Sequence, residues 1–137
     1  MTTLDTATLA EKIAAIERHL QRVEAKIPEG ALSPMSDATD SFVLHLYQAV
    51  QVTIDLAVQA CLHFKLGAPT DYGNAFVRLC DAQIIQPELR DRLVRAAGFR
   101  NVVAHAYERL DLVRVLQAAK QGPNDVRAFL QALSRRF

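Results

Sequence analysis

The N-terminal part of the chain carries apolar residues at a regular helical spacing. Intervals of four and three residues separate Leu9, Ile13, Ile16, Leu20, Val23 and Ile27. Residues at this spacing share one face of an α-helix, so the pattern predicts an amphipathic first helix. Pro28 and Gly30 come directly afterwards and are typical of a helix end.

The next segment is apolar on nearly every helical face. It begins near Asp37 to Asp40 and is predicted to run to about Leu66. A helix without a wholly polar face is buried on most sides, so we expect it to be central, either in a bundle or across a subunit interface. A membrane span is not expected, because polar residues interrupt the segment at Gln48, Gln51, Asp55, Gln59 and His63.

Capping and breaking residues divide the remainder into shorter helices. The third helix is predicted to be capped by Thr70 or Asp71 and to end near Gln83, and the fourth to start at Pro87. The helical pattern restarts at Asp111 and breaks at Gly122–Pro123, and Asn124 or Asp125 is predicted to cap the last helix. The sequence shows no alternating strand pattern and no internal repeat. It therefore predicts an all-α, up-and-down bundle of five or six helices.

The composition is that of one ordinary globular domain, which we place at residues 1–137. The chain has 137 residues, of which 50% are hydrophobic and 23% are charged. Its formal net charge of +1 provides no global attraction for nucleic acid or an anionic membrane, so such binding depends on a local patch. Segment 90–114 is a candidate, with six arginines and three acidic residues. Arginine suits bidentate phosphate binding, although a codon bias toward arginine explains its abundance equally well.

The cysteine and N-terminal patterns predict a cytoplasmic protein. Cys61 and Cys80 form no C-x-x-C pair and lie in apolar helical patterns, where a reduced thiol acts as a small hydrophobic group. The first five residues do not begin the basic and then apolar pattern of a signal peptide.

The histidines are the main candidates for chemistry, because the sequence has no glycine-rich phosphate loop and no metal-ligand spacing. Three of them lie inside predicted helices, where packed or surface roles are ordinary: His19, His45 and His63. His105 lies near a predicted helix end, where an imidazole can be exposed to solvent and where its surroundings can tune its pKa. Arg100 lies roughly 140° from it around an ideal helix. The two residues can act together if the helix unwinds near His105 or if a twofold axis joins two chains, and we expect a dimer that does both. The alternative is that Arg100 belongs to a surface ion pair and His105 caps the helix.

Segment 100–107, with the sequence RNVVAHAY, resembles the Arg-x4-His-x-Tyr motif of HEPN-domain proteins, and of the HepT-like toxin family in particular. Asn101, directly after the arginine, is also typical of that motif. The resemblance extends in order and spacing to segments 54–57, 69–76 and 98–99, so it covers nearly the whole chain. It implies a HEPN-like helical fold that forms a homodimer through the face carrying the motif.

The same resemblance implies a toxin that cleaves RNA as a metal-independent endoribonuclease, without a cofactor, at a composite site between two chains. The 2′-hydroxyl of the RNA can act as the nucleophile. His105 is then the general base or acid, and Arg100 is the phosphate clamp. Asn101 orients the scissile phosphate, holds the backbone of the motif or caps the helix. Asp55 either supports the site or makes a buried structural hydrogen bond.

Tyr107 has a separate role in the family that the chain resembles. There the motif tyrosine is modified by an MNT-type nucleotidyltransferase antitoxin, which attaches AMP, so the resemblance implies this antitoxin as a partner. The alternative is a half-buried tyrosine that stacks and donates a hydrogen bond. Two other functions remain open, a non-catalytic subunit that binds nucleotide or RNA beside a nucleotidyltransferase, and a structural adaptor. DNA and membranes are not expected partners.

Overall fold

The computed structural model describes residues 4–137, which form five α-helices and one short 3₁₀ helix. These elements are α1 (Thr6–Ala25), α2 (Asp37–His63), α3 (Tyr72–Asp81), α4 (Pro87–His105), the 3₁₀ turn (Tyr107–Arg109) and α5 (Leu112–Ser134). No β-strand occurs between residues 4 and 137. The predicted all-α fold is therefore confirmed. The first three residues, which belong to the predicted domain and to the N-terminal segment considered above, lie outside the described residues.

Local side-chain chemistry determines where most helices begin. At the starts of α1, α2, α3 and α5, a side-chain oxygen accepts a backbone N–H bond from the first turn of the helix. The accepting residues are Asp5, Ser36, Asp71 and Asp111, respectively. Pro87 opens α4, as predicted. Of the two predicted capping residues of α3, it is Asp71 that caps the helix. α2 ends at His63 rather than near Leu66.

α2 is the central helix, as its apolar pattern predicts, because it packs against α1, α3, α4 and α5. By length and composition α2 alone, among the helices of residues 4–137, is long and apolar enough to cross a membrane, but half of that stretch is buried inside the bundle. Phe76 of α3 and Phe129 of α5 meet edge to face in the core, with ring centres 5.6 Å apart. Cys61 and Cys80 are free thiols, as predicted.

The predicted break at Gly122–Pro123 is wrong, because α5 continues through both residues. A proline inside a helix removes one hydrogen bond and costs about 3 kcal/mol. Burial offsets this cost, since one apolar stripe continues on both sides of the proline: Val115, Ala119, Pro123, Val126, Leu130 and Leu133. Asn124 and Asp125 therefore cap no helix. Asp125 instead accepts a 2.8 Å hydrogen bond from Arg92 of α4.

Candidate active site

The guanidinium of Arg100 lies against two tyrosine rings. Its Cζ atom is 4.8 Å from the ring centre of Tyr72, at the start of α3, and 5.7 Å from that of Tyr47 in α2. A cation over an aromatic face is attracted by about 0.5–2 kcal/mol. The half-buried Arg100 side chain is therefore held in one place by two other helices.

Hydrogen bonds fix the direction in which Arg100 points. Its Nε donates to Oε1 of Gln51 at 2.7 Å, and its Nη1 donates to Oδ1 of Asn101 at 3.1 Å. Nε2 of Gln51 donates to Oδ1 of Asp55 at 2.9 Å. Because an ionised carboxylate only accepts hydrogen bonds, Asp55 keeps the amide oxygen of Gln51 turned toward Arg100. Arginine has five N–H donors, so about three remain available here for a phosphate.

These contacts decide two of the alternatives left open by the sequence. Asp55 is exposed, so the expected buried structural hydrogen bond is wrong, and its carboxylate acts on Arg100 only through Gln51. Asn101 lies inside α4 rather than at an end, so it is not a helix cap. Its side chain instead contacts the motif arginine directly. The roles of Asp55 and Asn101 in RNA cleavage stay predictions.

His105 is the last residue of α4, and its side chain is exposed. The helix is intact up to this residue, so unwinding does not bring His105 to Arg100. Five residues of helix separate the two by about 7.5 Å along the axis and about 140° around it. Across residues 4–137, no hydrogen bond joins them. One chain therefore does not assemble the two groups, and the two-chain arrangement stays a prediction.

Tyr107 opens the 3₁₀ turn and contacts the start of α2. Its hydroxyl donates a hydrogen bond to Oδ1 of Asp40, in the first turn of that helix. Partial burial and this bond to a carboxylate raise the pKa of Tyr107 to about 12. No aromatic ring in the described part of the chain stacks on it. The residue remains 39% exposed, so a second protein can reach it.

Carboxylates neutralise only half of the arginines in segment 90–114. The ion pairs are Arg90–Asp91, Arg92–Asp125 and Arg114–Asp111. Within residues 4–137, no carboxylate pairs with Arg95, Arg100 or Arg109. Segment 90–114 therefore keeps a local positive charge although the whole chain is nearly neutral.

Sequence reasoning missed four residues that contact the motif. Tyr47 and Gln51 lie on the same face of α2 as Asp55, at intervals of four residues, and that spacing is visible in the sequence. Tyr72 lies in segment 69–76, which carries part of the family resemblance. Nothing in the sequence pattern points to Asp40, because its contact with Tyr107 joins positions 67 residues apart.

Segment 69–76 owes its local structure to a small polar network. Oδ1 of Asp71 accepts the backbone N–H of Asn74 at 2.8 Å and caps α3. The side-chain oxygen of Asn74 accepts from the backbone of Thr70 at 3.1 Å and from Nε of Arg78 at 2.7 Å. This network holds the first turn of α3, and with it Tyr72, beside the motif arginine.

A cleft of about 910 Å³ between α1, α2, α4 and α5 is lined by Val102 of the motif but by neither Arg100 nor His105 nor Tyr107. In the part of the chain that the structure describes, no group of three or more His, Cys, Asp or Glu residues could hold a metal ion. The chemistry available at the motif is that of a guanidinium, amides, phenols and an imidazole.

Comparison with known proteins identifies the family of this chain. The family model described as Ribonuclease HepT-like matches residues 9–133. This chain belongs to the HepT-like ribonuclease family. The match extends from α1 into the last turn of α5, so the HepT-like assignment applies to nearly all of the described helices. The family predicted from the motif is confirmed.

Individual HepT-like relatives agree with this assignment. The mRNA nuclease HepT of Shewanella oneidensis is 26% identical over 126 residues, which are 91% of this chain and 95% of the relative. A solved structure of the tri-AMPylated Shewanella oneidensis HEPN toxin in complex with MNT antitoxin has a TM-score of 0.83 at 26% identity, covering 93% of this chain and 96% of that one. YutE, a Bacillus subtilis cytosolic protein of unknown function, shares the fold alone, with a TM-score of 0.66 at 16% identity over 96% and 94% of the two chains.

Proposed function

We propose that this chain is the toxin of a toxin–antitoxin pair and acts as a metal-independent endoribonuclease in the cytoplasm. The observation that carries the proposal is the oriented guanidinium of Arg100, which keeps about three N–H donors for a phosphate while two rings and Gln51 hold it. The nuclease named as a relative and the family description support it. Residues 1–137 are proposed to be one domain.

The proposed chemistry needs no group beyond this chain and its RNA substrate. His105 removes the proton of the 2′-hydroxyl, or protonates the leaving oxygen, in a position open to solvent at the helix end. Arg100 stabilises the charge that develops on the phosphorane. Asn101, hydrogen-bonded to Arg100, orients the scissile phosphate. Asp55 supports the site from a distance by holding Gln51.

The site is proposed to be composite, formed by two chains of a homodimer at the motif face. Within one chain the regular helix keeps His105 and Arg100 about 7.5 Å apart along its axis and on different faces. A twofold axis next to α4 would instead place His105 of one protomer opposite Arg100 of its partner. Two equivalent sites then follow from the symmetry.

An MNT-type nucleotidyltransferase is the proposed antitoxin, and Tyr107 is the proposed target of AMP transfer. The related Shewanella oneidensis toxin is described as tri-AMPylated and in complex with MNT antitoxin. In this chain Tyr107 lies two residues from His105 and is partly exposed. An added AMP brings negative charge and bulk to the surface on which the RNA phosphate is proposed to bind, and so blocks cleavage.

Cleavage of RNA by the purified chain in the presence of a metal chelator tests this function. We expect cleavage to persist with excess chelator, and the products to carry 2′,3′-cyclic phosphate ends because the substrate's own hydroxyl is the nucleophile. Mass spectrometry of the product ends provides the measurement. RNA that is bound but stays uncut would instead identify a non-catalytic binding subunit.

Gln51→Ala is expected to lower the rate of RNA cleavage about tenfold, because Arg100 loses a charged hydrogen bond of about 1.5–3 kcal/mol that orients it. Gln48→Ala is the matched control, since Gln48 is a half-buried residue of the same helix that forms no hydrogen bond to the motif within residues 4–137. Initial rates on a fluorescent RNA measure both variants. Equal rates for Gln51→Ala and the wild type would show that the contact does not matter for catalysis.

A further inference from the structure

Asp40 contacts the atom at which the proposed modification takes place. Its Oδ1 accepts the hydrogen bond of the Tyr107 hydroxyl, and the contact joins the first turn of α2 to the 3₁₀ turn. Asp40 is exposed and forms no ion pair within residues 4–137. Its carboxylate is therefore available to the phenol and is not neutralised by a nearby cation.

We propose that Asp40 is the proton acceptor when Tyr107 is adenylylated, an inference that rests on the proposed antitoxin mechanism. In this step Oη of Tyr107 attacks the α-phosphorus of ATP, which is bound by the nucleotidyltransferase. A bond forms between Oη and the α-phosphorus, and the bond from that phosphorus to the β-phosphate oxygen breaks. Pyrophosphate leaves, and the proton of the hydroxyl passes to Oδ1 of Asp40.

Two physical arguments favour this role. With a pKa of about 12, the Tyr107 hydroxyl is almost entirely protonated at neutral pH, so its proton must leave during the transfer step. An aspartate that accepts the proton of an attacking hydroxyl is the arrangement that protein kinases use in phosphoryl transfer. In this chain the acceptor lies on the protein that is modified, already in hydrogen-bond contact with the nucleophile.

The same contact explains how modification changes the surface. Once Oη is esterified, it has no hydrogen to donate to Asp40. The new phosphodiester is negative and lies next to a carboxylate, so the two groups repel. Modification therefore breaks the contact between Tyr107 and Asp40.

Adenylylation rates of purified variants test this role of Asp40. The chain is incubated with its MNT-type nucleotidyltransferase and ATP, and the AMP-modified Tyr107 peptide is quantified by mass spectrometry. Asp40→Asn is expected to lower the initial rate at least tenfold, because asparagine still accepts the hydrogen bond but does not take the proton. Asp37→Asn is the control and keeps the wild-type rate, because Asp37 lies in the same turn but the Tyr107 hydroxyl bonds to Asp40 instead. Asp40→Glu restores part of the rate.

The outcomes separate this inference from the function on which it rests. Modification of Asp40→Asn at the wild-type rate would overturn the role of Asp40 and leave the antitoxin mechanism in place. An equal loss in the Asn and Glu variants would also overturn it, because that result indicates packing rather than proton transfer. If the wild-type chain cleaves RNA but is never modified, the proposed antitoxin mechanism and this inference both fail, while the nuclease function remains.

Discussion

His105→Ala is expected to lower the rate of RNA cleavage by about 100- to 10,000-fold, the usual contribution of a general acid or base. The imidazole is exposed at the end of α4, so its removal leaves no cavity and does not change the fold. Initial rates on a defined RNA, at matched protein concentrations, measure the effect. His19→Ala is the control, since it removes another histidine from a helix that does not carry the motif.

A mixing experiment shows whether the site uses two chains. If the proposed composite site is right, Arg100→Ala and His105→Ala chains are each inactive alone, but a mixed dimer contains one site in which both residues are present. Random mixing of the two chains is expected to restore about a quarter of the wild-type rate, because half of the dimers are mixed and each has one intact site of two. If the mixture stays as inactive as its components, Arg100 and His105 act within one chain and the composite site is wrong.

Phe129→Ala is expected to lower the free energy of unfolding by about 3–5 kcal/mol, because it removes a fully buried ring and leaves a cavity. Phe129 packs edge to face against Phe76, with ring centres 5.6 Å apart, so part of an aromatic pair is lost as well. For a chain of this size the melting temperature should fall by roughly 10–20 °C. Thermal unfolding followed by circular dichroism measures the change.

Phe137→Ala is the matched control for this prediction. It makes the same change of side chain at the C-terminus, where the ring is only partly buried and stacks on His63 with centres 4.8 Å apart. We expect a clearly smaller loss of stability there, because the neighbouring groups can remain in contact with water. Similar melting temperatures for the two variants would show that the packing of Phe129 does not dominate the core.

The helices followed from local patterns, and the largest boundary error shows why such patterns fail. Asp71 caps α3 and Pro87 opens α4 as predicted, because both effects act within a single turn. Gly122–Pro123 has an equally strong local preference for a break, yet α5 continues. The apolar stripe of α5 packs against α1, α2 and α4, and this tertiary burial outweighs the local cost of the proline.

The candidate site was only partly visible in the sequence. Arg100, His105 and Tyr107 stand out because they lie in one short motif that resembles a known family. Their partners come from distant positions, 49 residues away for Gln51 and 67 for Asp40. No local pattern records such a contact, because it forms when α2 packs beside α4 and the 3₁₀ turn.

The sequence by itself determined that this protein is all-α and that α2 is its central helix, because both depend on periodicity that the chain encodes locally. It also predicted, through the resemblance to the HepT-like family, that segment 100–107 carries the chemistry. Only the tertiary structure decided that Tyr47, Tyr72 and Gln51 hold the Arg100 guanidinium and that Asp40 binds the Tyr107 hydroxyl. Those contacts arise between helices, where packing of the apolar core places polar side chains that no local preference brings together.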